Sequence, residues 1–491
     1  MTFHTLTPHR LVVALFLLAV GIVLMVVSQR RGWRPSLLTA IVLAAVLRGG
    51  MLFLAWHIRP YDLYQDFWHA GVATLHHQDP ILNSVRPEGW ASLPTYTFLL
   101  AGAAWTVIHL HWSWLIVARI PAILSDLGVV VVVGALVKAA GGSRDVAALR
   151  RFQYACNPVA ILVSSVHGQL EPFCLLFAFA AFAVVLKGGQ GISARRAVAG
   201  GAILAVAISG QSWPVLFLPA LLIALPTWRR RLQAVAGAAA VGVVLFVTMP
   251  LTVGSPVSQL PHLFKHMLSN QPPIGTWGWS GVWVTLHPTG LPPTQDPLWV
   301  HVGKIGEKAA LLVVLITIFW WRRAHPLDVA TASVTTLIVV SPGIGIQYLQ
   351  WPVPSSTARP TRLTLPLQIV AGLYAFTLYL PMNMLTSHNW HVIDRVMIFI
   401  SLGIVVLMVV ALPWGRRVWD RSGPDEPGDE GVPALDTLVS GPASAEVRPQ
   451  VTMNARGLAS RPPAGLLIPV DKADSKINPV TSLTSFVGLI S

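Results

Sequence analysis

Apolar runs long enough to cross a lipid bilayer recur along most of this chain, and they constrain its fold more than any other feature. A crossing helix needs about 20 predominantly apolar residues, because each adds about 1.5 Å of rise to a hydrocarbon core about 30 Å thick. Residues 11–28, 37–56, 114–137, 232–250, 363–382 and 392–412 meet that requirement. Shorter apolar runs occupy 93–112, 153–167, 171–187, 197–209, 213–227, 307–321 and 327–342. Several contain Pro or Gly, which membrane depth tolerates only where other protein or a cavity covers the freed backbone. Only 11% of residues are charged, against about 25% in soluble proteins, which excludes a water-soluble enzyme. The expected fold is all-α: a polytopic transmembrane bundle of about 11–13 membrane segments, some of them broken around a cavity.

Charge is divided unevenly. The first 420 residues carry +16 and residues 421–491 carry −2. Rich in Pro, Gly, Ser and Ala and without hydrophobic periodicity, residues 421–491 read as a disordered cytoplasmic tail behind a membrane domain of residues 1–420. Lys and Arg concentrate in cytoplasmic loops. The clusters Arg30/Arg31/Arg34, Arg144/Arg150/Arg151, Lys187/Arg195/Arg196, Arg229/Arg230/Arg231, Arg322/Arg323 and Arg416/Arg417 therefore mark one side. The opposite side receives residues 57–92, 167–172, 210–213, 251–303 and 387–391. The N-terminus is expected outside, and the first run lacks a small-residue cleavage site, so it reads as an anchor. Parity then requires an odd number of crossings between 57–92 and 144–151. The run 93–112, interrupted by Pro94, Gly102 and His109, is expected to be re-entrant or to lie at the interface. Cys156 and Cys174 both lie in apolar runs, so neither a disulfide framework nor a thiolate metal site is expected.

The outer loops are poor in Lys and Arg yet dense in Trp, Tyr, His, Gln and Pro. They include His57-Ile-Arg59-Pro-Tyr61-Asp62-Leu-Tyr64-Gln-Asp66-Phe-Trp-His69, His167-Gly-Gln169-Leu-Glu171-Pro, Gly210-Gln211-Ser-Trp213-Pro and Thr276-Trp-Gly-Trp-Ser-Gly-Val-Trp283. An interfacial aromatic belt accounts for the tryptophans alone. It does not require the amides and carboxylates beside them, and that combination suits a sugar ring. Of the few acids in the first 420 residues, Asp145, Asp328 and Asp420 read as loop charges, and Glu307 as a helix-entry acid. Asp62 and Asp66, spaced i,i+4, would share one face of a short interfacial helix. There a carboxylate serves either as a solvated loop charge or as a general base for a substrate hydroxyl. Asp126 interrupts an apolar run and is expected to pair with Arg119 on the same helix face.

The order of these motifs resembles the GT-C superfamily of integral-membrane glycosyltransferases, in particular bacterial polyprenol-phosphate-mannose-dependent mannosyltransferases and the GPI mannosyltransferase branch. Tyr61-Asp62-Leu-Tyr64-Gln-Asp66-Phe67 and Gln78-Asp79-Pro80 stand where that family has its first-loop aspartate and turn, followed by Pro94-Thr-Tyr96. Ser125-Asp126, Asn157-Pro158, His167-Gly168-Gln169-Leu-Glu171, Trp213-Pro214 and Gln347-Tyr348-Leu-Gln-Trp351-Pro352 resemble its later motifs. The likeness spans roughly 57–355, with Ile81 in place of Tyr, Glu171 in place of Asp and Gln211 in place of Lys.

What the resemblance implies is a polyprenyl-phosphate-linked sugar donor, with mannose as the sugar, and a glycolipid or glycan acceptor. It implies single-step inversion with Asp62 or Asp66 as base. Arg59, His57, His69 and His167 would contact phosphate or sugar, and Tyr96, Gln169, Glu171, Gln211, Trp213, Gln347 and Tyr348 would bind substrate. The active site would be extracytoplasmic, in the plasma membrane, among membrane lipid. The sequence itself carries no nucleotide-phosphate loop or metal cluster, so nucleotide-sugar use is disfavoured and no metal, cofactor or nucleic-acid partner is expected. A lipid-linked-sugar transporter or flippase, and a non-catalytic scaffold of the same fold, are the competing readings.

Overall fold

A computed structural model describes residues 7–80, 94–262, 275, 277–288, 296–343, 345–384, 387–416 and 418. The helices, in chain order, are α1 (Pro8–Arg31), α2 (Leu37–Ala55), α3 (Phe67–Leu75), α4 (Pro94–Leu110), α5 (Trp114–Val117), α6 (Ile120–Ala139), α7 (Arg144–Ala155), α8 (Pro158–Leu162) and α9 (Glu171–Leu186). There follow α10 (Ala194–Gly210), α11 (Leu218–Ala224), α12 (Trp228–Thr252), α13 (Gly278–Leu286), α14 (Pro297–Trp320), α15 (Pro326–Val340), α16 (Val353–Ala358), α17 (Thr364–Tyr379) and α18 (Ser387–Val410). No β-strand occurs among the described residues. Five helices are long and apolar enough to cross a bilayer: Pro8–Arg31, Leu37–Ala55, Trp114–Ala139, Trp228–Thr252 and Val392–Val410. Shorter apolar helices fill the interior, giving the polytopic, all-helical architecture of the GT-C type. The tail expected over 421–491 lies outside the described residues.

Local chemistry sets the boundaries. Ser36, Ser143, Ser193 and Thr227 each accept a hydrogen bond from a first-turn N–H and start α2, α7, α10 and α12. Three boundaries differ from expectation. α4 runs unbroken through Gly102 and His109, because Pro94 opens it where a missing N–H costs nothing. The run 363–382 shortens to α17, since Pro381 diverts the chain into a 3₁₀ turn over Pro381–Met384. Glu307 lies well inside α14, whose start at Pro297 is capped by Asp296 accepting from the Leu298 N–H at 2.8 Å.

The core is centred on the chain between Phe152 and Leu175, where every residue is buried except His167. Asn157-Pro158 breaks this path. Asn157 caps α8 through the Ala160 N–H at 3.1 Å and donates to Gln368 at 3.0 Å. Around it pack α2, α6, α9, α16 and α17. Asp126 pairs with Arg48 of α2, not with Arg119 as the sequence suggested. Arg48 Nε and Nη2 each lie 2.5 Å from Asp126 Oδ2, and both side chains are fully buried. Tyr154 (2.6 Å) and Gln350 (3.0 Å) donate to Asp126 Oδ1, so one carboxylate ties α2, α6, α7 and the 3₁₀ turn Ile346–Gln350 together.

Three of the basic clusters assigned to one side of the membrane, those of Arg34, Arg150 and Arg416, gather at one end. Arg34 pairs with Asp145 (2.6 Å), Arg150 donates to Gln29 and Gln153 (2.8 Å each), and Arg416 donates to the Pro360 carbonyl at 2.8 Å. Asp328 is no loop charge: it is buried at the start of α15 and pairs with Arg359 at 3.3 Å. Asp62, His167 and Gln169, anticipated on the other face, meet at the opposite ends of α2, α6 and α9.

Candidate active site

Two π-helical turns build the site. The first, Asp62–Asp66, follows α2, and the second, Val163–His167, follows α8. Single π-turns widen the backbone spiral and frequently mark functional positions. The second ends at Gly168, whose φ of +76° is a left-handed conformation that Gly adopts without a Cβ penalty. That reversal aims His167 outward from an otherwise buried stretch, toward Asp62.

Asp62 is gripped from both sides. Its Oδ1 accepts from His167 Nε2 (3.1 Å) and from the Leu63 N–H (3.1 Å), and its Oδ2 accepts from Gln169 Nε2. The other imidazole nitrogen, Nδ1, lies 3.0 Å from the Tyr379 hydroxyl, which fixes the ring plane. Desolvation pushes the Asp62 carboxyl upward, but the His167 charge and the hydrogen bonds from His167 and the Leu63 N–H outweigh it. The net result lies below the ordinary carboxylate range. The Asp62 side chain remains 23% exposed and that of His167 12% exposed, so the pair is reachable.

The two aspartates do not share one accessible face. Asp66 is 5% exposed, buried at the inner end of the first π-turn. Glu171, at the first position of α9, is fully buried, and among the described residues neither carboxylate oxygen has a hydrogen-bond partner from another residue. It lies within electrostatic range of Asp62 and Tyr96. Tyr96 is likewise fully buried with an unpartnered hydroxyl, its ring edge-on to Phe173 at 5.7 Å.

An aromatic shelf adjoins this cluster. The Trp213 and Trp351 rings stack at 4.0 Å and 8°, Tyr348 lies 4.3 Å from Trp351, and Trp213 Nε1 donates to Gln211 Oε1 at 2.8 Å. The turn bearing half-buried Gln347 and Tyr348 packs against the π-turn of His167. Three other candidate contacts have the following surroundings. Arg59 is exposed, 5.5 Å over the Tyr64 ring; His69 is exposed on α3; His57 faces Arg10 at 2.7 Å. Asp79 is buried and accepts from Ser255 at 2.6 Å.

Sequence reasoning missed Tyr379, which no local motif marks, and Arg48, whose position inside an apolar span was itself a signal.

The profile of glycosyltransferase family 87 matches residues 90–342, more than half of the chain. The chain belongs to glycosyltransferase family 87. Membership makes it a membrane glycosyltransferase, which moves a sugar from a donor to an acceptor. The family 87 segment holds Tyr96, His167, Gln169, Glu171, Gln211 and Trp213. Arg59, Asp62, Asp66, His69, Gln347 and Tyr348 lie outside the matched segment. No curated protein sequence matches the chain.

Proposed function

We propose that this family 87 protein transfers a sugar, mannose, from a polyprenyl-phosphate carrier to a glycolipid or glycan acceptor on the extracytoplasmic face. The reaction inverts the anomeric centre, and Asp62 is the base. The observation that carries the reading is the hydrogen-bonded set Asp62–His167–Gln169, partly exposed at the end of the bundle away from the basic clusters.

The chemistry follows from that arrangement. An acceptor hydroxyl displacing the amide of Gln169 reaches Asp62 Oδ2, which takes its proton as the oxygen attacks the anomeric carbon. The bond from that carbon to the phosphate oxygen breaks, and the electron pair leaves on the phosphate. A phosphate leaving group already bears charge, so it needs nearby positive charge more than a proton donor. We assign that role to His167, beside Asp62, and to exposed Arg59, three residues before it. Holding donor and acceptor together supplies much of the rate, since positioning converts an encounter into an intramolecular step. Asp66 is disfavoured by its burial. A groove of about 330 Å³ lined by Trp279, His301, Val302, Ile305, Ala309 and Val340 supports a carrier with a long apolar tail.

The test is transfer of radiolabelled mannose from polyprenyl-phosphate-mannose by the purified chain and by Asp62→Asn and Asp66→Asn. Loss in folded Asp62→Asn, with transfer retained in Asp66→Asn, supports the reading. Full activity in Asp62→Asn overturns the base, and no transfer by wild type overturns the donor.

A further inference from the structure

Arg119 is fully buried, yet among the described residues no carboxylate stands within ion-pair reach of it. Its guanidinium donates to backbone carbonyls only. Nη1 reaches Leu115 at 2.5 Å and Trp56 at 3.4 Å, Nη2 reaches Ile58 at 2.7 Å, and Nε reaches Val166 at 2.9 Å. Those carbonyls belong to three segments distant in sequence. Trp56 and Ile58 lead from α2 into the π-turn of Asp62, Leu115 lies on α5, and Val166 sits beside His167 in the second π-turn.

A buried cation without a countercharge is costly, and an apolar side chain of similar size would avoid that cost. What an apolar side chain lacks is a rigid planar fork with five N–H donors, the property by which Arg can bind several acceptors in fixed directions. Gly168 completes the arrangement. With φ at +76°, a Cβ there would lie 2.5 Å from Arg119 Cγ, so the chain passes directly over the arginine stem.

We propose that Arg119 is a positioning residue: its guanidinium clasps the second π-turn to the stretch of chain that leads into the first, and thereby fixes the distance and angle between Asp62 and His167. The assignment rests on Asp62 being the base. No backbone hydrogen bond joins the two π-turns among the described residues, so beside the Asp62–His167 contact itself the Arg119 clasp adds a rigid hydrogen-bonded link between the segments that carry them.

The test uses the full chain in lipid nanodiscs, with Arg119→Lys and Gly168→Ala as separate variants. Arg119→Lys keeps the charge but has at most three donors and no fork. Gly168→Ala keeps the guanidinium and displaces it, so it carries the same test where Arg119→Lys does not fold. Each is expected to lower kcat by about 100-fold, the effect of a displacement near 1 Å, with donor KM changed less than about threefold on the same principle. Each is then combined with Asp62→Asn. A positioning residue has nothing left to position there, so the double variant should be no slower than Asp62→Asn alone. Losses that multiply, or that track only the amount of folded protein, overturn the clasp. Unchanged kcat in Arg119→Lys beside a slow Asp62→Asn overturns the clasp alone, whereas full activity of Asp62→Asn overturns the base and the clasp with it.

Discussion

Asp126→Leu is the single change from which we expect the largest loss of stability, and the structure sets its size. The substitution removes the countercharge 2.5 Å from Arg48, leaving that guanidinium with the carbonyls of Ala155 and Ala44 alone. Breaking one partner of a buried ion pair costs about 3–5 kcal/mol. Tyr154, 2.6 Å from the lost carboxylate, is left without its acceptor, which adds about 1–3 kcal/mol. Together these approach the whole stability of a typical domain, about 5–15 kcal/mol. The double variant Arg48→Met/Asp126→Leu removes the orphaned charge and retains only the smaller cost at Tyr154 and Gln350. Unfolding of membrane proteins is commonly irreversible, so the quantity to measure is the half-life of the monodisperse protein at fixed temperature. We expect Asp126→Leu to accumulate poorly and decay fastest, and the double variant to outlast it by at least tenfold, the equivalent of about 1.4 kcal/mol. Asp126→Leu lasting as long as the double variant would refute the reasoning.

Other perturbations give separate readouts. A carboxyl held below its usual range is ionised above its own lowered value and loses its charge only as pH falls through that value, so Asp62 should sustain transfer across pH 5–8. His167→Gln removes the opposing charge and should move the acid limb of the rate profile upward. Glu171→Leu removes a buried carboxylate that no other described residue hydrogen-bonds. It should raise thermal stability by about 1–3 kcal/mol while slowing transfer, as melting curves and initial rates would report. Trp213→Leu breaks the ring stack on Trp351. Such stacks contribute roughly 0.5–1.5 kcal/mol beyond area burial, so substrate KM should rise roughly two- to tenfold on that principle.

The spans and the side on which Arg34, Arg150 and Arg416 gather were legible because apolar length and basic clusters are local signals, read within a few residues. His167 and Gln169 were legible as a short motif, and Asp62 as an acid directly after a span. Their contact was not, since it depends on two π-turns that leave no mark in hydrophobic periodicity. The pairing of Asp126 failed for a related reason. Helical spacing pointed to Arg119 on the same helix, whereas tertiary packing supplied Arg48 from α2, 78 positions away. Tyr379 closes the site from α17, 212 positions from His167, and no spacing rule spans that separation.

The hydrogen bonds of Arg119 run to main-chain oxygens, which every amino acid supplies alike. Natural sequence drift at Trp56, Ile58, Leu115 and Val166 therefore leaves the clasp untouched so long as an apolar residue fills each place. Arg119 and Gly168 enjoy no such freedom. A chain altered at all four of those places would thus keep its Asp62–His167 spacing so long as these two positions are retained.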